Sequence, residues 1–516
     1  MHSTFSDPAG TRPAGLRLTV LALALAPFLA HAQNASVEER LRALEQRQTQ
    51  LEQALRERDA RIQQLEAERA PTAVVAPAPA ATQPVPAAPA QTPAATVATT
   101  TAAAPAQSAF GQPAQQPEQW GAYEGGKGLV LARTDMGELN WSAFSYARYL
   151  NQGGLDDSFT DAFGRTRPLD LRNDMQLQKV TLNFKGWLFD PKLRYLFYAW
   201  TSNTSQGLGA QVVLGGYLSY LFDDSFNLAA GIGSLPSTRS TNWTFPNWLR
   251  VDNRTMADEY FRGSYTSGLW AWGNITDDLK YRVMVGNNLS QLGVDAAQLD
   301  NQFNTFSGAL WWMPTTGEFG PGEGFGDFEW HEDAATMFGA NFTLSREDAQ
   351  GQPATDSFEN SQIRLSDGTL LFSLDPFNTG GSVRKATYEM AAVNAGVKFR
   401  GLSLEGEYYW RWVDDFRTVG TVPVDELYDH GFQLQASAML KPDTLQAYLS
   451  GSKINGEYGN PWDAAVGVNW YPFKRKEFRL NTQALYMDRS AVGYAAVPYL
   501  VGGNGWVFTT DFVLAF

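Results

Sequence analysis

The basic side chains of this chain that could act together fall into two sets. Lys179, Lys185, Lys398, Arg400, Arg411 and Arg479 lie on the polar side of alternating segments, opposed there by Glu405, Glu407 and Asp511. Arg239, Arg250 and Arg254 crowd the stretch 235–261 with Asp252, Asp258, Glu259 and the rings of Trp243, Phe245 and Trp248. In a narrow, partly desolvated passage, each Lys or Arg strengthens its contact with a passing anion, so rows of them select by charge. Facing basic and acidic groups on 235–261 would set a transverse field across an opening. The same residues allow a plainer arrangement, in which the arginines pair with the acids and the tryptophans anchor the stretch to a wall. The rings could equally guide a sugar.

Other chemistries have little to work with. The chain has no cysteine, which excludes disulfides, thiolate zinc sites and thiol nucleophiles. It has four histidines, His2, His31, His331 and His430, of which the first two sit in a segment expected to be removed. There is no G-x-S-x-G pattern and no nucleotide motif. Neither catalysis, a metal nor a cofactor is expected.

The polar sets need a wall to hold them, and period-two alternation supplies one. In the closing stretch, Trp506, Phe508, Thr510, Phe512, Leu514 and Phe516 share one side, and Thr509, Asp511, Val513 and Ala515 share the other. Residues 178–186, 390–400, 402–412, 432–440, 464–471 and 478–486 repeat the scheme. A strand with lipid on one side and a polar lumen on the other requires this pattern. The count reaches 16 strands, starting near 138, 176, 192, 212, 225, 262, 279, 302, 335, 386, 402, 431, 443, 462, 476 and 504. Tight turns such as Asp190-Pro191-Lys192 and Lys441-Pro442-Asp443 alternate with long Gly/Asp-rich loops. The stretch Thr315 to Asp333 falls where a tight turn belongs, so either that turn is long or the count is off by two there. The expected fold is all-β, a 16-stranded antiparallel transmembrane β-barrel over 126–516.

Before the barrel, Arg12 and Arg17, the apolar run Leu18 to Ala30 and the Ala30-His31-Ala32 site read as a signal peptide over 1–32. Residues 33–69 hold an unbroken heptad, with Leu41, Gln48, Leu55 and Ile62 at a and Val37, Leu44, Leu51, Arg58 and Leu65 at d. That is a short self-associating coiled coil, the polar Gln48 and Arg58 setting its register. Residues 70–125 form an Ala/Pro-rich linker that is too apolar-poor to fold. The first 117 residues balance in charge, so the net −14 falls wholly on the rest.

The barrel region resembles the phosphate-selective porin O/P family. The resemblance rests on Lys179-Val-Thr-Leu-Asn-Phe-Lys-Gly-Trp-Leu-Phe-Asp190, Leu193-Arg-Tyr-Leu-Phe-Tyr198, Leu228-Ala-Ala-Gly-Ile-Gly-Ser-Leu-Pro236 and the Arg254 to Phe261 segment. It implies a trimer of 16-stranded barrels, an anion channel with phosphate as a solute, and a constriction loop after the fifth strand. Where the family commonly places Lys, this chain has Gly231-Ile232-Gly233-Ser234, which weakens the implied phosphate selectivity.

The function expected is therefore an outer-membrane porin, a passive channel for small hydrophilic solutes with a mild preference for anions such as phosphate. A carbohydrate-selective porin and an outer-membrane to cell-wall tether are the alternatives, and an outer-membrane enzyme is disfavoured. Expected partners are two further copies, through barrel walls and coiled coil, outer-membrane lipid, small anionic or neutral solutes and a peptidoglycan contact. Nucleic acid is not among them.

Overall fold

The computed structural model describes residues 121–202, 211–289, 303–349, 363–493 and 497–516. The signal peptide, coiled coil and most of the linker expected above lie outside the described residues.

Sixteen antiparallel strands form the wall, in the order of the sequence. They begin with β1 Gly137–Leu155, β2 Asn173–Leu188, β3 Asp190–Ser202, β4 Gln211–Leu221, β5 Asn227–Ser234, β6 Tyr265–Asn274, β7 Leu279–Gly286 and β8 Thr305–Trp312. They continue with β9 Ala335–Asp348, β10 Ser382–Phe399, β11 Leu402–Val419, β12 Leu427–Lys441, β13 Leu445–Asn455, β14 Trp462–Trp470, β15 Phe478–Asp488 and β16 Gly505–Ala515. Each strand pairs with its neighbours in sequence, and β16 closes the ring by pairing with both β15 (Thr510 opposite Thr482) and β1 (Thr510 opposite Tyr149). Closure removes the free edge that an open sheet would expose.

Alternation fixes which side chains point where. On β16, Trp506, Phe508, Phe512 and Leu514 are 46–49% exposed, whereas Thr509 and Asp511 on the other face are each 1% exposed. Phe516 does not fray: its amide and carbonyl both bond to Ala143, and its ring meets Trp141 edge-on at 5.1 Å. Leu214, Leu404, Leu434 and Val466 continue an exposed apolar exterior around the barrel, while Thr343, Gln433 and Asn481 face inward. A wall that is apolar outside and hydrogen-bonding inside suits a bilayer.

Connections at one end are short, as at Phe189 between β2 and β3 and at Arg400-Gly401 between β10 and β11. Both residues of the second turn are left-handed (φ 47° and 82°), the conformation that joins twisted hairpin strands in two residues. The connection over 313–334 is the exception at this end. The strand count holds there, so the turn itself is long. It packs because it carries Phe319 and Phe325, which are buried, and Asp327, which is fully buried.

Candidate pore constriction

The connection between β5 and β6, residues 235–264, folds into the barrel. Local chemistry shapes it first. Thr241 Oγ1 accepts the amides of Ser237 and Thr238 at 3.0 Å, closing a 3-10 turn over Arg239–Thr241. Thr255 caps α1, Met256–Phe261, by accepting from the Asp258 amide, and Asp258 and Glu259 occupy the first turn, where the helix dipole favours acids. The Trp248 indole donates to Thr244 Oγ1 at 2.7 Å.

The wall then grips this loop through its backbone. Arg479 donates to Trp248 O at 2.7 Å, Asn469 to Leu249 O at 3.0 Å, Arg148 to Val251 O at 2.6 Å and Asn341 to Pro236 O at 3.0 Å. The loop covers the inner face of β9–β16, where Glu405, Glu407, Arg411, Gln433, Asp463, Asn481 and Asp511 are all buried. The inner face of β2–β4 is different: Lys179, Thr181, Asn183, Lys185, Trp187, Arg194, Tyr198, Trp200 and Tyr217 are half-buried. The interior is thus filled on one side and solvent-lined on the other.

The sequence-predicted residues take distinct places. Lys179 reaches from β2 to Asp252 at 2.6 Å, with the Tyr146 hydroxyl on the same carboxylate oxygen at 2.9 Å. Arg239 pairs with Glu405 at 3.2 Å, Arg250 with Asp463 at 3.0 Å and Arg411 with Asp429. Arg254 faces Glu259 at 3.4 Å and lies over the Trp248 ring at 4.2 Å. Lys398 donates to Phe319 O and Gly324 O at 2.6 Å, and Lys185 to Gly126 O at 2.6 Å. Arg400 does not face the interior. It sits in the β10–β11 turn, exposed, 3.5 Å from Glu332. Separate rows of opposite sign, one of the arrangements open in the sequence, are not formed; each loop arginine meets an acid instead.

Three features were not legible beforehand. Arg148, on the inner face of β1, pairs with Asp511 at 2.6 Å, both fully buried. Arg282, on the inner face of β7, stacks under Trp243 at 4.0 Å. The polar-side spacing Lys280, Arg282 and Asn140, Arg148 was the available signal. The third is the joint between the long turn and the loop: Phe325 N donates to Asn247 O at 2.8 Å, Lys280 pairs with Glu323 at 2.7 Å, and Arg239 lies over the Phe325 ring at 4.6 Å.

At the short-turn end, Asp327 accepts the Gly401 amide at 2.7 Å and bonds the His331 ring, whose other nitrogen is 2.9 Å from Glu318. The Asp327 bond raises the His331 pKa, against partial burial, and Glu318 adds to the rise. Burial works against the Asp327 carboxylate, but bonds from His331 and Gly401 outweigh it and hold its pKa below the usual range. The departure at Gly231–Ser234 also has a steric correlate, since a Cβ on Gly233 would meet the Trp270 ring at 3.1 Å.

No protein-family model matches this sequence, and no curated protein does. Solved structures are similar in outline. An anion-selective porin from Comamonas acidovorans matches at 11% identity over 74% of this chain and 100% of its own, with a TM-score of 0.46. The outer membrane channel DcaP of Acinetobacter baumannii matches at 11% identity over 74% and 99%, with a TM-score of 0.44. OmpT of Vibrio cholerae, expressed in the outer membrane, matches at 9% identity over 75% and 100%, with a TM-score of 0.45.

Proposed function

We propose that this chain is an outer-membrane porin, a passive channel through which small hydrophilic solutes diffuse, with a mild preference for anions. The observation that carries this reading is the half-buried, solvent-lined inner face of β2–β4 inside a closed wall whose exterior is apolar. A barrel of 16 strands is wider than side chains alone can fill, and here a loop must enter to narrow it. Carboxylate partners at Lys179, Arg239, Arg250, Arg254 and Arg411 cancel most of the interior positive charge. The preference for anions, phosphate included, is accordingly weak.

Three copies joined through their apolar walls, with the coiled coil of residues 33–69 in the periplasm near peptidoglycan, complete this reading. Trp187, Tyr198 and Trp200 on the solvent-lined face favour a second one, a carbohydrate-selective porin whose rings stack on sugars. Planar-bilayer recordings separate the two. Reversal potentials in a KCl gradient should lie modestly on the anion side, and phosphate should block more strongly than an oligosaccharide. Stronger block by the oligosaccharide would favour the sugar reading, and absence of conductance would end both. Unboiled gels and crosslinking test the trimer.

A further inference from the structure

Buried cations inside this barrel generally face a carboxylate, as Arg148 faces Asp511, Arg250 faces Asp463, Arg411 faces Asp429 and Arg262 faces Glu259. Among the described residues Arg282 faces none. It is 0% exposed, and its guanidinium donates to Ser234 O at 2.7 Å and to Ser234 Oγ at 3.3 Å, leaving Nε without a partner among them. Two indoles flank it, Trp243 at 4.0 Å and Trp270 at 5.9 Å. The titratable groups near it are the hydroxyls of Tyr217 and Tyr265. Lys398 and Arg479 also donate to carbonyls, but Glu405 and Glu329 lie near the first and Asp511 near the second. A guanidinium withdrawn from water without a counter-charge is costly, and indole faces offset only part of that cost.

The position of Trp243 gives this charge an outlet. Trp243 is 38% exposed although its loop lies within the barrel, and it meets Trp272 edge-on at 5.5 Å. One indole therefore separates the guanidinium from interior solvent. An apolar ring screens a charge far less than water does. The ion-paired arginines of the loop, by contrast, present dipoles whose fields fall off faster.

Resting on the channel reading above, we propose that Arg282 sets the anion preference of the passage, its unpaired charge drawing small inorganic anions past Trp243. The partner is chloride or inorganic phosphate, chosen by charge rather than by shape, because the indole offers an incoming anion no fork of donors.

The test is Arg282→Gln in planar bilayers under a KCl gradient. The anion-over-cation permeability ratio should fall by about threefold or more, as expected when one unscreened charge is removed from a narrow passage. Arg282→Lys should keep the ratio. Inorganic phosphate should reduce chloride current in the unaltered protein and in Arg282→Lys but not in Arg282→Gln. Arg282→Met, which leaves no polar group to bury, repeats the test if the glutamine variant fails to fold on an unboiled gel. Folded, conducting Arg282→Gln or Arg282→Met channels with an unchanged ratio would overturn the proposal while leaving the channel reading intact. An unaltered protein that does not conduct would overturn the channel reading itself.

Discussion

Arg250 and Asp463 bind the inward loop to β14: Asp463 Oδ2 accepts from both terminal nitrogens of Arg250 at 3.0 Å, and neither side chain is measurably exposed beyond 1%. The same carboxylate also accepts the Met256 amide at 3.3 Å, and the guanidinium donates as well to Tyr499, Ser450 and the Arg254 carbonyl. Removing one member of such a pair strands the other charge in a low-dielectric site, at a cost of about 3–5 kcal/mol.

Arg250→Gln or Asp463→Asn should therefore loosen the loop. The expected outcome is a lower temperature for the folded-to-unfolded shift on gels and a larger, noisier single-channel conductance. Arg250→Met with Asp463→Leu should recover much of the heat stability, because nothing charged is left buried. Unchanged conductance and melting in the single variants would mean that the loop is held elsewhere.

The His331–Asp327 contact predicts a pH window. His331 has a raised pKa in the folded protein, so its contribution is complete below about 6.5 and is lost as pH rises through the raised value. Asp327 has a depressed pKa, so its contribution is complete above about 3.9 and is lost as pH falls through the depressed value. The long turn is held best between these limits. The folded form should melt higher at pH 6 than at pH 8.5, and His331→Gln should flatten that difference. A profile unaffected by the substitution would remove this contact from the account.

Strand number, order and start positions were readable from alternation, because the lipid-facing side of each strand is apolar and the polar side chains collect on the other. The starts expected near 138, 335, 402 and 462 fall at Gly137, Ala335, Leu402 and Trp462. Pairing inside the barrel was not readable. Arg148 and Asp511 are distant in sequence and meet only because β16 closes onto β1. Arg400 shows the reverse failure: alternation carried through the strand end places it inward, but a left-handed turn residue leaves the ladder. The long turn at 313–334 looked like a flaw in the count because turns at that end are tight, and only its buried Phe319 and Phe325 reveal what its length is for.

That turn is also held to the barrel wall at its short-turn end, where Lys398 donates to two of its carbonyls. Replacing residues 315–331 with a tight turn, together with Lys398→Met so that no ammonium is left without acceptors, should raise conductance. The loop would lose Phe325 N as a donor to Asn247 O and the ring beneath Arg239. Conductance equal to that of the unaltered chain would show that the turn lies off the path.

Lys179 and Asp252 offer the most direct handle on charge at the solvent-lined face. Their side chains are 18% and 10% exposed, and their 2.6 Å contact joins the wall to the loop. The pair is only partly reached by water, so each single substitution should cost some stability, and folding of each variant is checked on an unboiled gel. The electrical effect is direct, since the two charges now cancel beside the path. Asp252→Asn frees a lysine that already lies 5.1 Å from the Trp200 ring, and reversal potentials should move toward anions. Lys179→Gln should move them toward cations by a similar amount, and the double variant should return close to the starting value. Salt should weaken both shifts only in part, because partly buried charges are screened less than exposed ones. If neither single variant moves the reversal potential, ions do not pass this pair, and the path must run elsewhere along the inner face of β2–β4.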